Sequence, residues 1–144
     1  MKRRRAKVII GFAACVALMD AVFKWQAILR LPEEGGRLFF PIDFVLHKNP
    51  GIAFDIPIPL SIVVTFSILV SIVLIRFTWK NWQNNPNYSA AASMIVIGSL
   101  GNMFDRIINN FTTDYIILFG RSAINLSDIL ILTGAILLIR YTKK

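Results

Sequence analysis

A run of twenty residues, 56–75, contains no charged side chain. As an α-helix such a run is about 30 Å long, which matches the hydrocarbon core of a lipid bilayer. The rest of the chain has a similar character, because 56% of its 144 residues are hydrophobic and only 17% are charged. This composition is too apolar for a water-soluble domain of this size, so the sequence predicts a membrane protein.

Three further apolar runs lie along the chain, and each of them contains ionisable residues. Together the predicted spans cover residues of about 8–28, 56–75, 89–108 and 123–139. No internal repeat, low-complexity tract or long linker separates them. The sequence therefore predicts an all-α membrane protein in which residues 1–144 form a single domain with four transmembrane helices.

The basic residues are distributed unevenly between the two sides of the predicted membrane. The N-terminal segment, the link after the second span and the C-terminal tail hold ten Lys and Arg and no acidic residue. The rest of the chain holds six basic and eight acidic residues. By the positive-inside rule, both termini and the second loop are cytoplasmic. Topology then accounts for the net charge of +8, and we expect no nucleic-acid partner.

Cysteine and histidine are too rare to support most metal or nucleophile chemistry. The single cysteine, Cys15, lies inside the first span, which excludes a disulfide framework and a cysteine-based metal site. The residues before it imitate a lipoprotein signal peptide, but the apolar stretch preceding Cys15 is short, so an uncleaved span is the better interpretation. The one histidine, His47, cannot form a His-based zinc motif. We therefore expect neither a metal nor an organic cofactor.

With the predicted topology, polar residues from every span gather near the outer surface of the membrane. They are Asp20 and Lys24 in the first span, Asn49, Gly51 and Phe54 before the second, Asn102, Asp105 and Arg106 in the third, and Asn125 and Asp128 in the fourth. Ionisable groups in a bilayer cost several kcal/mol and commonly mark a functional site. The alternative is that pairs such as Asp20 and Lys24 only neutralise each other within the bundle. Because the whole set lies at one depth, a functional site is favoured.

Residues 112–119 form a β-branched and aromatic run that predicts a short extended element outside the membrane. Asp114 begins this element, where it is either a solvated carboxylate or a group above the same pocket as Asp128. Two neighbouring carboxylates share one proton, so that one of them can take a proton from water while the other polarises a carbonyl group. This chemistry hydrolyses peptides, although on physical grounds Asp105 remains a third candidate for the pair.

Fixed spacings connect these polar residues into short motifs. They are Asp and Lys four apart at Asp20 and Lys24, the block Asn49, Gly51, Ala53 and Phe54, the Gly-Asn-x-x-Asp-Arg motif at Gly101, Asn102, Asp105 and Arg106, Asp114 with the aromatic Tyr115, and the Asn-x-x-Asp motif at Asn125 and Asp128. In this order they resemble the lipoprotein signal peptidase family, also called signal peptidase II. The resemblance implies a small bacterial inner-membrane protein with four spans and its active site near the outer leaflet.

The same resemblance implies an intramembrane aspartyl endopeptidase that cleaves diacylglyceryl-modified prolipoproteins before the lipidated cysteine. Asp114 and Asp128 correspond to the catalytic pair, and Arg106 would keep its neighbour Asp105 ionised and unsuited to sharing a proton. The remaining matched residues would bind substrate or position the pair. We expect the partners to be lipid-modified prolipoproteins and membrane lipids, and the protein to be a monomer. The rival interpretation is a small transporter or a structural membrane adaptor.

Several positions depart from the pattern of the family, and they leave substrate preference and loop shape open. They are Ala21, Pro50, Ile52, Asp55 and Ser127. Of these, Ser127 stands beside Asp128, where its hydroxyl could either add a hydrogen bond to the catalytic pair or face a neighbouring helix.

Overall fold

The computed structural model describes residues 2–33, 41–52 and 56–142. The predicted site residue Phe54 and the departure at Asp55 lie outside the described residues. In chain order the elements are α1 (Lys2–Arg30), β1 (Ile42–Asp43), β2 (His47–Asn49), α2 (Leu60–Asn81), α3 (Pro86–Asn109), β3 (Thr112–Asp114), β4 (Ile116–Leu118), β5 (Ser122–Ile124) and α4 (Leu126–Thr142). The fold is mostly helical, as the sequence predicts, and it also contains two small β-sheets where the sequence predicts one short extended element.

Three of the described helices, α1, α2 and α3, are long and apolar enough to cross a membrane. Many large apolar side chains on their surfaces are exposed, for example Phe66 and Val73 on α2. Exposed apolar helix faces are expected where the surrounding medium is lipid, so the prediction of a membrane protein agrees with the fold. The fourth helix, α4, has 17 residues and is about 25 Å long.

Two helices begin later than the sequence predicts. Helix α2 begins at Leu60 instead of residue 56, because each of the two prolines at 57 and 59 disfavours helical geometry in the residue before it. Helix α4 begins at Leu126 instead of residue 123, because Ser122–Ile124 pair with β4 as strand β5. The first residues assigned to the fourth span therefore belong to a sheet.

Helix α3 is the central helix and packs against α1, α2 and α4. Its contact with α4 is close because small residues face the partner: a Cβ added at Gly98 would lie 2.6 Å from the carbonyl oxygen of Ser127. In the same way, a Cβ at Gly134 on α4 would lie 2.8 Å from the carbonyl oxygen of Ala91. Small residues at helix contacts are typical of membrane bundles. This close packing brings polar side chains of α3 and α4 within hydrogen-bonding distance.

Two antiparallel sheets form next to one end of the bundle. One contains β1, β4 and β5, and the other contains β2 and β3. In the second sheet, His47 lies opposite Asp114 and Asn49 lies opposite Thr112. Helix α3 ends at Asn109, its C-cap residue Asn110 has a left-handed backbone (φ 64°) that asparagine tolerates, and β3 begins two residues later. The extended element predicted for residues 112–119 is thus confirmed as β3 and β4.

Candidate active site

A cavity of about 420 Å³ lies between the β2–β3 sheet and the helices α3 and α4. Asp114 of β3 and Asp128 of α4 both line it, and so do Asn49 and Arg106. The part of its wall that follows α4 is apolar and consists of Ile131, Leu132 and Ala135. The structure therefore brings the two aspartates singled out in the sequence to one cavity, which has a polar end and an apolar wall.

The first turn of α4 fixes the position of Asp128. The N–H of Asp128 donates to Oδ1 of Asn125 (3.0 Å), and the N–H of Asn125 donates to Oδ2 of Asp128 (3.2 Å). This reciprocal pair is a capping box in which Asn and Asp replace the usual Ser or Thr and Glu. The Asn-x-x-Asp motif is thus a signal for the start of a helix as well as a site motif. The helix N-terminus also stabilises negative charge on the Asp128 carboxylate.

The β2–β3 sheet and the loop before α4 fix the position of Asp114. Its Oδ2 accepts a hydrogen bond from Nδ2 of Asn49 (3.2 Å), and its Oδ1 accepts one from Nδ2 of Asn125 (2.6 Å). Burial and then the nearby charge of Asp128 raise the pKa of Asp114 to about 7, although the two asparagine hydrogen bonds act in the opposite direction. Asp114 is therefore a carboxyl group that holds a proton in slightly acidic to neutral conditions.

A buried lysine is connected to Asp128 through one amide. The ammonium group of Lys24 donates to Oδ1 of Asn102 (2.7 Å), and Nδ2 of Asn102 donates to Oδ1 of Asp128 (2.7 Å). Lys24 also pairs with Asp20 (2.9 Å) and lies 3.6 Å from Asp105. Because the lysine is buried, these carboxylates are needed to balance its charge. Lys24 and Asn102 thus orient Asp128 from inside the bundle.

Asp105 on α3 supports strand β3. It accepts hydrogen bonds from the backbone N–H of Thr113 (2.6 Å), the hydroxyl of Thr113 (3.1 Å) and Nδ2 of Asn109 (2.7 Å). The sequence left two charge partners open for Asp105, its neighbour Arg106 or Lys24 on another helix, and the structure shows the ion pair with Lys24. Adjacent residues on a helix do not face each other, which disfavours Arg106. Arg106 instead donates to the carbonyl oxygen of Gly51 (3.2 Å).

Asp20 connects α1 to the start of α4. Its Oδ1 accepts hydrogen bonds from the hydroxyl of Tyr115 (2.8 Å) and the N–H of Leu126 (3.0 Å). Its Oδ2 accepts one from the hydroxyl of Ser127 (2.6 Å) and pairs with Lys24. Burial and the charge of Asp20 raise the pKa of Tyr115, so that its phenol remains a donor. The predicted Asp20–Lys24 pair is present, but it belongs to a larger network that holds the helix start.

The hydroxyl of Ser127 does not bond to Asp114 or Asp128; it donates to Asp20. There is room for it because the facing residue is Gly101, where a Cβ would lie 2.5 Å from the serine Oγ. Since a hydrogen bond to a charged group contributes about 1.5–3 kcal/mol, we expect Ser127→Ala to lower the free energy of unfolding by about that amount. Thermal unfolding in detergent measures it, with Ser61→Ala on the exposed face of α2 as a control. Equal melting temperatures for the two variants would contradict the assignment.

Four polar residues that line the cavity were not among the predicted site residues: His47, Thr112, Arg121 and Ser122. Strand alternation is a signal that could have found two of them. His47 and Asn49 share one face of β2, and Thr112 and Asp114 share one face of β3, because side chains two apart in a strand point the same way. Arg121 lies in the turn between β4 and β5, and no sequence pattern places it near the site.

Comparisons with known proteins agree with the fold and with the motifs. The sequence profile of Signal peptidase (SPase) II matches residues 12–143. A lipoprotein signal peptidase of Caldicellulosiruptor bescii is 38% identical over 78 residues, which cover 53% of this chain and 51% of that protein. One from Buchnera aphidicola subsp. Schizaphis graminum is 28% identical over an alignment that covers 97% of this chain and 96% of that protein. A bacterial membrane enzyme solved by the in meso method has a TM-score of 0.81 at 23% identity, covering 96% of this chain and 87% of that one.

Proposed function

This chain belongs to the signal peptidase II family, and we propose that it removes signal peptides from diacylglyceryl-modified prolipoproteins by cutting before the lipidated cysteine. The relatives that it matches are lipoprotein signal peptidases. The observation that carries the proposal is the placement of two carboxyl groups, the buried Asp114 from β3 and the half-buried Asp128 from α4, on one cavity with a polar end and an apolar wall. Such a pair hydrolyses a peptide bond without a covalent intermediate.

In the proposed mechanism, the pair shares one proton and Asp114 holds it. The pKa of about 7 supports this assignment to Asp114. Negative charge on Asp128 is favoured by the N-terminus of α4 and by the Lys24–Asn102 connection. The oxygen of a water molecule attacks the carbonyl carbon while Asp128 accepts a proton from that water. At the same time, the proton of Asp114 passes to the carbonyl oxygen. When the resulting diol collapses, one of its hydroxyls returns a proton to Asp114, the carbon–nitrogen bond breaks, and the leaving amine takes up the proton that Asp128 received.

We propose that residues 1–144 form one domain in which all four helices span the inner membrane, with both termini cytoplasmic. Hydrogen bonds from Arg3 to Gln83 and from Tyr88 to Tyr141 support this topology, because they bring the start of α1, the α2–α3 link and the end of α4 together. The sheets and the cavity lie at the opposite end. Acyl chains hold a lipidated cysteine at the bilayer surface, so a site near the outer leaflet would meet the bond that is cut.

The proposed function is tested with purified protein in detergent and a lipidated prolipoprotein. We expect mass spectrometry to show cleavage immediately before the modified cysteine, and little cleavage of the same precursor without its lipid. A chelator should leave the rate unchanged, because the described residues contain no group of three or more His, Cys, Asp and Glu that could hold a metal ion. Equal cleavage of both precursors would contradict lipid dependence. A folded protein that cleaves neither would instead favour the transporter or adaptor.

Because Asp114 donates a proton in the proposed mechanism, the rate of cleavage should depend on pH. In the folded protein the pKa of this carboxyl is about 7, so raising the pH through that value removes the proton that the carbonyl oxygen needs. We expect kcat/KM to be highest below neutral pH and to fall about tenfold per pH unit well above the pKa. The profile is measured on the lipidated precursor, with folding checked at each pH. A rate that still rises with pH under alkaline conditions would contradict the assignment.

A further inference from the structure

Two buried side-chain hydroxyls lack a hydrogen-bond partner in the part of the chain that the structure describes, those of Thr78 and Thr112. Such groups are rare in native proteins because an unpaired buried donor or acceptor loses its bonds to water and gains none. Thr78 lies near the C-terminal end of α2, about 27 Å along that helix from its first residue. Thr112 lies in β3, is 2% exposed, and lines the cavity that contains Asp114 and Asp128.

The neighbours of Thr112 within the sheet are already engaged. Asn49 lies directly opposite in the β2–β3 register, yet its Nδ2 donates to Asp114 and its Oδ1 accepts from the N–H of Gly51. The hydroxyl of the next residue, Thr113, donates a hydrogen bond to Asp105. Asn49 and Thr113 thus bond to other groups, and the hydroxyl of Thr112 has no partner among the described residues. Because Thr112 lines the cavity, a molecule bound there can supply the partner.

The spacing along β3 shows what kind of partner would fit. Thr112 and Asp114 are two residues apart in a strand, so they share one face and lie about 7 Å apart along it. A substrate peptide in an extended conformation has the same repeat of about 3.3 Å per residue. If the bond to be cut lies at Asp114, a backbone N–H or C=O of the peptide therefore comes opposite Thr112.

We infer that Thr112 is a substrate-binding residue whose hydroxyl hydrogen-bonds to the peptide backbone about two residues from the bond that is cut. A threonine hydroxyl both donates and accepts, so it can pair with either backbone group. Its Oγ1 is shielded from solvent, and it reaches the peptide by turning about χ1 into another staggered rotamer. This inference rests on the proposed function, since it concerns the substrate of the same site.

The test removes the hydroxyl without changing the size of the side chain. For Thr112→Val we expect KM for the lipidated precursor to rise about three- to tenfold, because one neutral hydrogen bond is lost, while kcat changes less than about twofold. The melting temperature should stay equal or rise, since an unpaired buried group is removed. Thr112→Ser retains the hydroxyl and should restore KM.

Thr78→Val is the matched control, because it removes the other unpaired buried hydroxyl at a position away from the cavity. It should raise or preserve the melting temperature and leave both KM and kcat unchanged. If Thr112→Val behaves in the same way, or lowers kcat alone, the inference is wrong. Should the valine variant not fold, Thr112→Ala removes the same hydroxyl and decides the question. A wild type that does not cleave the lipidated precursor would overturn the proposed function itself, which these variants do not test.

Discussion

Replacing Asp114 or Asp128 with asparagine is expected to lower the turnover of lipidated precursor by about 10²–10⁴-fold in a protein that remains folded. Asparagine has nearly the shape of aspartate, but it can neither give up a proton nor take one from water. Each substitution thus removes one half of the proposed proton transfer while it keeps most of the packing around the cavity. The measurement is the single-turnover rate on the lipidated precursor, with thermal unfolding as the check on folding.

Three further variants make this result specific. Asp43→Asn removes a carboxylate from β1, outside the cavity, and should turn over like the wild type. Asp105→Asn should weaken the support of β3 and reduce turnover without abolishing it, because Asp105 bonds to Thr113 and Asn109 and does not line the cavity. The double variant of Asp114 and Asp128 should be no slower than the worse single variant, since groups that act as a unit are not additive. Additive losses, or full activity in either single variant, would refute the pair.

Removing the Asp20 carboxylate is expected to cause the largest loss of stability. Asp20→Ala deletes the acceptor of hydrogen bonds from Tyr115, Leu126 and Ser127, and it removes the closest charge partner of buried Lys24. Breaking a buried ion pair from one side costs about 3–5 kcal/mol, because the remaining charge is left without compensation. We therefore expect the free energy of unfolding to fall by about that amount, and turnover to fall with it as the start of α4 loosens.

The comparison for Asp20 is an exposed ion pair elsewhere in the chain. Glu33 pairs with Lys48, and both side chains are largely accessible to water, at 64% and 43% exposed. Such pairs contribute about 0–1 kcal/mol, so Glu33→Ala should hardly change the melting temperature. Both variants are measured by thermal unfolding in the same detergent. If Asp20→Ala destabilises the protein no more than Glu33→Ala does, the network around Asp20 does not hold the helix start.

The sequence predicts those features that depend on local patterns. Hydropathy located each end of α1, α2 and α3 to within six residues, and β-branched residues indicated the extended element around Asp114. The start of α4 was predicted too early because an apolar run does not show that Ser122–Ile124 pair with β4. A hydropathy pattern contains no information on strand pairing, which depends on residues far apart in the chain.

Charge partners were harder to predict than charge positions. The sequence placed Asp20, Lys24 and Asp105 in one region but could not decide whether Asp105 pairs with Arg106 or with Lys24, and the structure shows Lys24 from another helix. The hydrogen bonds that Ser127 and Leu126 donate to Asp20 also join residues about a hundred positions apart. Such contacts follow from how α1, α3 and α4 pack, which no local spacing reveals.

Both polar atoms of the Asn125 side chain make hydrogen bonds within the site. Its Oδ1 accepts the N–H of Asp128 in the helix cap, so the amide cannot turn over, and its Nδ2 must face Oδ1 of Asp114. That oxygen accepts the shorter of the two asparagine bonds to Asp114, 2.6 Å against 3.2 Å from Asn49. In the proposed mechanism the proton of Asp114 therefore resides on Oδ2. The side-chain amide of Asn125, which is fixed when α4 folds, would thus determine which oxygen of Asp114 carries the catalytic proton before substrate binds.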